Sequence, residues 1–432
     1  MNRTESVVPI LILALTGLFL ALPAAAQQPP ASDEEPPATA EQPPPDVQQP
    51  PPVARQEHPV MALIGSSVTW DNNVFHLPSS VDPQALLGKP TKSDRISATY
   101  AGLRVDKPYA QQRFLLDLTG TAYRYDNFSF LDFDALQYQG AWQWHFTPRV
   151  SGTLAADRTE ALVNYTDFRD PSTRNVRTVQ NRLFSVDAWL FGGWHLLGAA
   201  RQQAAKNTAP FIQLGSYRVT GGEGGIKYVA GSGSSVTFNL RSAAGHFTDR
   251  AADPVTLVDD GFRRSESELL ATWIVTGKST LDARLARVDY RSSHFAERDF
   301  TGSAARLGYR WLPTARLSLN LAVSRDLQPW QDDFASYRVD TRLSFGPRWQ
   351  LGARTALALT LDHVASDFRN PVVPFAGPER RYAFRSAQLA LDWQILRNVT
   401  IKASLQRSLQ TSTDPTVPFS ATVATLDASL MF

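Results

Sequence analysis

The chain reads as an all-β protein: a transmembrane, antiparallel, up-and-down β-barrel of about 18 strands, with 16 as the alternative count. Three observations predict this. Period-two runs of ten or more residues fill the chain from His58 onward. Short and long joins alternate between those runs. The last residue is an aromatic at the end of one such run, Phe432.

The N-terminus comes first in chain order. Arg3 precedes the apolar run VVPILILALTGLFLAL, and ALPAAA leads to Gln27 with small side chains. That is the layout of a secretory leader over residues 1–26. Residues 27–57 carry proline clusters beginning at Pro29, Pro36, Pro43 and Pro50. Proline removes the helical donor and no apolar seam accompanies it, so this stretch is expected to be an extended, disordered periplasmic tether. Residues 58–432 are expected to form the barrel. No later segment holds the ~20 apolar residues of a spanning helix, so an exported chain that crosses a membrane must do so as a closed barrel.

The strands are read from alternation. In Asn398–Gln410, Val399, Ile401, Ala403, Leu405 and Leu409 oppose Thr400, Lys402, Ser404, Gln406, Ser408 and Gln410. Around Ala135–Phe146, Leu136, Tyr138, Trp142, Trp144 and Phe146 oppose Gln137, Gln139, Gln143 and His145. Successive strand side chains point to opposite faces, so each run has one face for lipid and one for water. Runs this long exceed the usual soluble strand and match tilted spans of a bilayer. Short joins are expected at Val105–Pro108, Phe146–Arg149, His195–Gly198, Ala230–Ser234, Val275–Ser279, Leu312–Ala315, Gly346–Arg354 and Leu396–Asn398. The longer joins include Asp71–Lys92, Thr166–Arg177, Thr248–Phe262 and Asp367–Arg381. With both chain ends in the periplasm, this is the short-turn, long-loop asymmetry of an outer-membrane barrel of a Gram-negative bacterium.

Indole rings favour the membrane boundary, and six of the ten Trp fall beside short joins. Trp144, Trp194, Trp273, Trp311, Trp349 and Trp393 therefore form a candidate periplasmic girdle. At the chain end, Leu426, Leu430 and Phe432 share a face. They resemble the C-terminal signal read by barrel-assembly machinery.

Composition narrows the chemistry. Formal charge is +2, which gives no case for nucleic acid, and the absence of cysteine excludes disulfides and thiolate sites. The Gly-Lys-Ser of Val275–Thr280 lacks the first phosphate-loop glycine, since Thr272 stands there. Gly221–Gly225 lacks dinucleotide spacing, and Asp71–Asn73 lacks the glycine and closing glutamate of a calcium loop. The histidines show no metal-ligand spacing. No enzyme, metal or cofactor is expected.

The polar face supplies the lumen candidates: Gln137, Gln139, Gln143, Asn239, Arg241, Arg316, Asn320, Arg338, Asp340, Arg342, Asp392, Lys402 and Gln406. Amides and paired charges of this kind exchange hydrogen bonds with sugars or water. Tyr123 and Trp189 fall on the same face and are candidates to stack on sugar rings.

Three passages, VTWDNNVFHLP at Val68–Pro78, Tyr123–Trp144 and Gly308–Leu327, resemble the EpsL-type outer-membrane β-barrel proteins encoded with exopolysaccharide biosynthesis genes. The resemblance covers His58–Phe432 and carries no catalytic residues. It implies a role in exporting polysaccharide, with outer-membrane lipid around the barrel and periplasmic or inner-membrane export proteins as partners. Three other readings stand beside it: a passive porin for small solutes, a surface hydrolase using a lumen His such as His145, and a scaffold. Asp71–Asn73 is expected to be a strand exit, with the question left open whether the loop after it points outward or gates the pore.

Overall fold

The computed structural model describes residues 59–372 and 379–432. The leader expected over 1–26 and the tether expected over 27–57 lie outside the described residues.

Nineteen strand segments make one sheet: β1 Val60–Asp71, β2 Asp94–Tyr109, β3 Gln112–Tyr125, β4 Phe133–Thr147, β5 Val150–Leu162, β6 Val176–Phe191, β7 Trp194–Asn207, β8 Tyr217–Val229, β9 Ser235–Phe247, β10 Gly261–Thr276, β11 Ser279–Ser292, β12 Phe300–Thr314, β13 Leu317–Asp332, β14 Ala335–Phe345, β15 Arg348–Gly352, β16 Thr355–Arg369, β17 Arg381–Gln394, β18 Val399–Ser412 and β19 Phe419–Met431. β14 and β15 are one stave broken at Gly346–Pro347, since both pair with β13 and β16. The barrel thus has 18 staves, all antiparallel, and β1 closes it by pairing with both β2 and β19.

Closure follows from the solvent. A bilayer offers the backbone no hydrogen bonds, so a spanning sheet leaves no free edge. The side chains agree: Ile64, Leu136, Leu196, Phe238, Leu285, Leu361 and Leu405 project outward and exposed from staves around the barrel. A closed barrel with an apolar outer belt and short turns at one rim is an outer-membrane barrel.

Four of the expected short joins move, among them Leu312–Ala315, of which all but Ala315 lies inside β12. Val105–Pro108 lies inside β2, because the ladder with β3 runs on to Tyr109↔Gln112 and the Asp106–Arg113 ion pair bridges it. The chain turns at Ala110–Gln111, where Ala110 takes φ +50°. His195–Gly198 lies inside β7, and the reversal comes earlier, at Gly192–Gly193 with Gly192 at φ +55°. The stretch Gly346–Arg354 is mostly the continuing stave β15, with its turn at Ala353–Arg354. At the opposite rim the joins are longer, except the two-residue turn between β13 and β14.

Candidate functional site

The lumen has two halves with different solvents. On β18 the inward residues Lys402 and Ser404 are half-buried, while Gln406, Ser408 and Gln410, farther from the short-turn rim, are buried. The same change runs along β3, where half-buried Asp117 and Thr119 give way to buried Thr121, Tyr123 and Tyr125. It recurs on β11, from exposed Asp282 to buried Arg284, Ala286, Val288 and Tyr290. On these three staves the periplasmic half is partly open and the outer half is filled, whereas Thr237 on β9 and Ala356 on β16 are buried near the short-turn rim.

The filling comes from the outer loops. Val74 and Phe75 after β1, Phe128 and Leu131 after β3, Val163, Tyr165 and Phe168 after β5, and Phe211 and Leu214 after β7 join Trp330 and Phe368 in one buried apolar cluster. Phe75 sits edge-on to Phe128 and to Tyr165, each at 4.8 Å between ring centroids. The start of the loop after β1, Asn73–Phe75, therefore folds inward, while Ser79–Pro90 stays mostly exposed. Asp71 and Asn73 serve that bend: Asp71 Oδ1 accepts from the Asn73 N–H at 2.8 Å, and Asn73 side-chain atoms bond Leu77 backbone. His76 stacks on Phe419 at 4.1 Å, and its Nδ1 lies 2.7 Å from Thr166 Oγ1. Burial holds its imidazole down to a pKa of about 4.

A second cluster shows where the β13–β14 hairpin goes. Leu327 and Val339 pack with Phe262, Val288, Tyr290, Phe300 and Ala304 from the inner faces of β10–β12. The β12–β13 ladder begins only at Ala305↔Arg325, so Phe300–Ala304 have no β13 partner. The hairpin tip leans inside the wall instead of extending it. Gly302 permits this, since a Cβ there would lie 2.3 Å from Leu327 Cδ2.

Between the two halves runs a ladder of opposite charges on inward positions of β7–β11 and β13. Arg201 and Arg241 each reach Glu223 at 2.9 Å. Glu266 takes Arg264 at 2.6 Å, Arg284 at 3.1 Å and Arg241 at 3.3 Å. Glu268 binds Arg284 and lies 3.6 Å from Arg241, and Asp326 lies 3.8 Å from Arg284. Four arginines face four carboxylates, so the ladder is neutral. Glu266 and Glu268 are buried. Such charges tolerate burial only when paired and hydrogen-bonded.

Of the lumen candidates, Gln137, Gln139, Gln143, Asn320, Arg342, Asp392 and Lys402 stand on inward positions at partly open depth. Arg342 pairs with Asp362 at 3.0 Å, and Asp392 with Arg348 at 2.8 Å. Arg241 is in the ladder. Asn239, Arg338, Asp340 and Gln406 also point inward and are buried, as Glu266 and Glu268 of the ladder are. Arg338 pairs with Asp340 on the same strand at 3.0 Å and ties β14 to Asp167 of the loop after β5 at 3.4 Å. Arg316 is in the turn between β12 and β13, off the wall. Tyr123 is buried with its ring stacked on Phe133 at 4.7 Å, leaving no face for a sugar. Trp189 is partly exposed at the periplasmic rim, but its Nε1 donates to the Gly192 carbonyl at 2.7 Å and Arg149 covers the ring at 4.9 Å.

Trp194, Trp273, Trp311, Trp349 and Trp393 are exposed on the outer wall near the short turns. Trp144 has the same outward parity but is 3% exposed. It lies flat over Gly152 and beside Phe146 and Phe184, which take the exposed places. Leu426 and Phe432 are outward and exposed, and the Phe432 N–H donates to Ala62 O at 2.9 Å in the closing pair.

His145 lies at the periplasmic rim, its Nδ1 3.1 Å from the Gln111 carbonyl. Asp259, Asp260 and His294 bring carboxylate and imidazole atoms together in the loops after β9 and β11. Both Asp259 oxygens are already occupied by the N–H groups of Gly261, His294 and Phe295, which makes this group a clasp between loops. Of the ladder, Arg201, Glu223, Arg264, Glu266, Glu268 and Asp326 were missed in the sequence. The signal for Arg264, Glu266 and Glu268 was their period-two spacing.

No family model matches the chain, and no curated protein matches it. The EpsL-type identity therefore rests on the sequence resemblance alone. Among solved structures, the chain is similar to OccK2 (OpdF) of Pseudomonas aeruginosa at 13% identity and TM-score 0.49, over 86% of this chain and 97% of that one. It is similar to OpdK of the same organism, solved with vanillate, at 12% identity and TM-score 0.49, over 86% and 99%. A BenF-like porin from Pseudomonas fluorescens Pf-5 stands at 11% identity and TM-score 0.49, over 86% and 99%.

Proposed function

We propose that this barrel is a loop-constricted diffusion porin for small polar solutes. One observation carries the reading: a polar, half-open periplasmic vestibule meets a dry loop cluster across a neutral charge ladder. An 18-stave barrel is wide enough for an aqueous path, so its bore here is set by what folds into it. A solute entering from outside must pass the loops, then a wall of alternating guanidinium and carboxylate groups. Such a wall favours molecules that both donate and accept hydrogen bonds over simple ions of one sign.

Export of a polysaccharide, which the EpsL resemblance implies, has no support beyond that resemblance. For a polymer to thread the lumen, Phe75, Phe128, Tyr165 and Trp330 would all have to leave it together.

Planar-bilayer recording tests the porin reading. The full barrel should give small, interrupted conductance steps, and loosening the loop cluster should enlarge them. A wide, steady pore in the unaltered protein would sink the constriction. Gene deletion separates the cargoes: loss of small-solute uptake supports the porin, whereas loss of surface polymer with uptake intact would return the reading to export.

A further inference from the structure

The outer wall differs chemically at its two rims. Near the short turns it presents aromatic rings, among them Trp194, Trp273 and Tyr228. Toward the long loops the outward positions of β7, β8, β10 and β13 carry Lys206, Arg218, Arg263 and Arg325, all exposed. Asp289 is the one acid on outward strand positions of β7–β13. Among the described residues it pairs with Arg291, leaving those four cations without an ion pair.

Their height can be read from the strands. Ten residues separate Arg263 from Trp273 on β10, and ten separate Arg218 from Tyr228 on β8. At about 3.3 Å per residue and a tilt near 40°, that is roughly 25 Å along the membrane normal. The basic residues thus stand one hydrocarbon thickness above the aromatic girdle, at the outer headgroups.

Arg263 stands directly opposite Arg291, whose guanidinium already takes Asp289 at 3.0 Å and Asp299 at 3.2 Å. Just below them the wall has a trough of about 350 Å³ where the outward side chains shrink to Gly222, Gly224, Ser242, Ser265 and Ser267, with Leu240, Arg287 and Asp289 at its margin. A zwitterionic leaflet gives no reason for aromatic rings at one rim and cations at the other.

We infer that the outer face of β7–β13 binds a phosphate-bearing glycolipid of the outer leaflet, with phosphates on Arg218 and Arg263 and an acyl chain in the trough. The inference rests on the barrel spanning the outer membrane and is independent of what passes through the lumen. Guanidinium forks match phosphate oxygens, and basic side chains near a charged leaflet gain attraction that salt screens.

The test uses the full chain refolded in detergent and counts bound lipopolysaccharide per barrel by native mass spectrometry. Arg218→Gln with Arg263→Gln should weaken binding roughly 30-fold at low salt, as expected for two surface cations. Arg218→Lys with Arg263→Lys should retain most of it. Dephosphorylated glycolipid should bind the unaltered barrel as poorly as the Gln variant binds the phosphorylated form, an arm that needs no substitution. Heat-dependent gel migration checks folding. Equal binding by the Gln variant, or by the dephosphorylated lipid, overturns the inference. So does complete displacement by millimolar inorganic phosphate, which would reveal a plain anion site.

Discussion

Replacing Glu266 by Gln should change both stability and ion selectivity. Glu266 is buried and takes three arginines within 3.3 Å. Gln keeps the volume but removes the charge, leaving a ladder of four arginines against three carboxylates. Removing one member of a buried ionic set costs about 3–5 kcal/mol, because the remaining charge loses its compensation. The uncompensated unit also faces the lumen. At about 8 Å from a permeating ion it is worth roughly 0.5 kcal/mol in water and roughly 2 kcal/mol at an effective dielectric near 20. The anion-to-cation permeability ratio should therefore rise by at least about twofold.

The assay is the reversal potential across a planar bilayer under a KCl gradient, on protein whose folding is checked by gel migration. A second substitution, Arg264→Gln, restores neutrality and should return the potential toward its starting value. Arg264 suits this role because Glu266 is its ion-pair partner, at 2.6 Å. An unchanged reversal potential in a folded Glu266→Gln barrel would show that ions do not pass the ladder, and the proposed path would be wrong.

Three further outcomes follow from the loops and the hairpin. Phe75→Ala removes a ring buried against Phe128 and Tyr165, a loss of about 3–5 kcal/mol to the loop cluster, and single-channel conductance should rise. Gly302→Val sets a side chain where Leu327 now lies, so the hairpin should leave the inner wall and bound loop contacts should become accessible to protease from outside. His76 favours its neutral form in the folded loop, with a pKa near 4 against an ordinary 6.5. The closed loop should then be fully stable above about pH 6.5 and lose stability as pH falls toward 4, so conductance should rise over that window. His76→Phe should flatten that dependence, and an equally steep response in the variant would place the titrating group elsewhere.

Strand parity was legible because it is local: two alternating solvents write a period of two into every stave, and residues such as Gln139 and Leu405 fall on the faces their chemistry predicts. The joins were legible where glycine or a polar pair marks them, as at Gly277–Lys278. They were misread where proline imitates a turn, as at Pro108, which lies within a ladder held by Arg113 and Asp106. The ladder went unread because Glu223 sits inside a glycine run that drew notice for its glycines. The inward loops went unread because packing between Phe75, Tyr165 and Phe211 joins segments far apart in the chain. Aromatic residues concentrated in loops were the available sign, since solvent-facing loops have little use for them.

Pro329 held a further clue to the hairpin. A proline within an inner stave forfeits a ladder donor, so it belongs where a strand has a free edge. Its neighbours Leu327, Gln328, Trp330 and Gln331 are all buried although the β12 ladder stops at Arg325. Both facts follow if the outer end of the wall overlaps itself, with β13–β14 tucked behind β10–β12. The overlap buries Leu327 and Val339 on one side and brings Trp330 and Arg338 to the loop cluster on the other. It also separates two tasks that an open cylinder would merge. In the proposed porin, access rests with a hairpin and loops held by apolar contacts, which can part without breaking the closed ladder of the periplasmic half. Selectivity would rest with the charges of β7–β11, on staves that do not move with the hairpin.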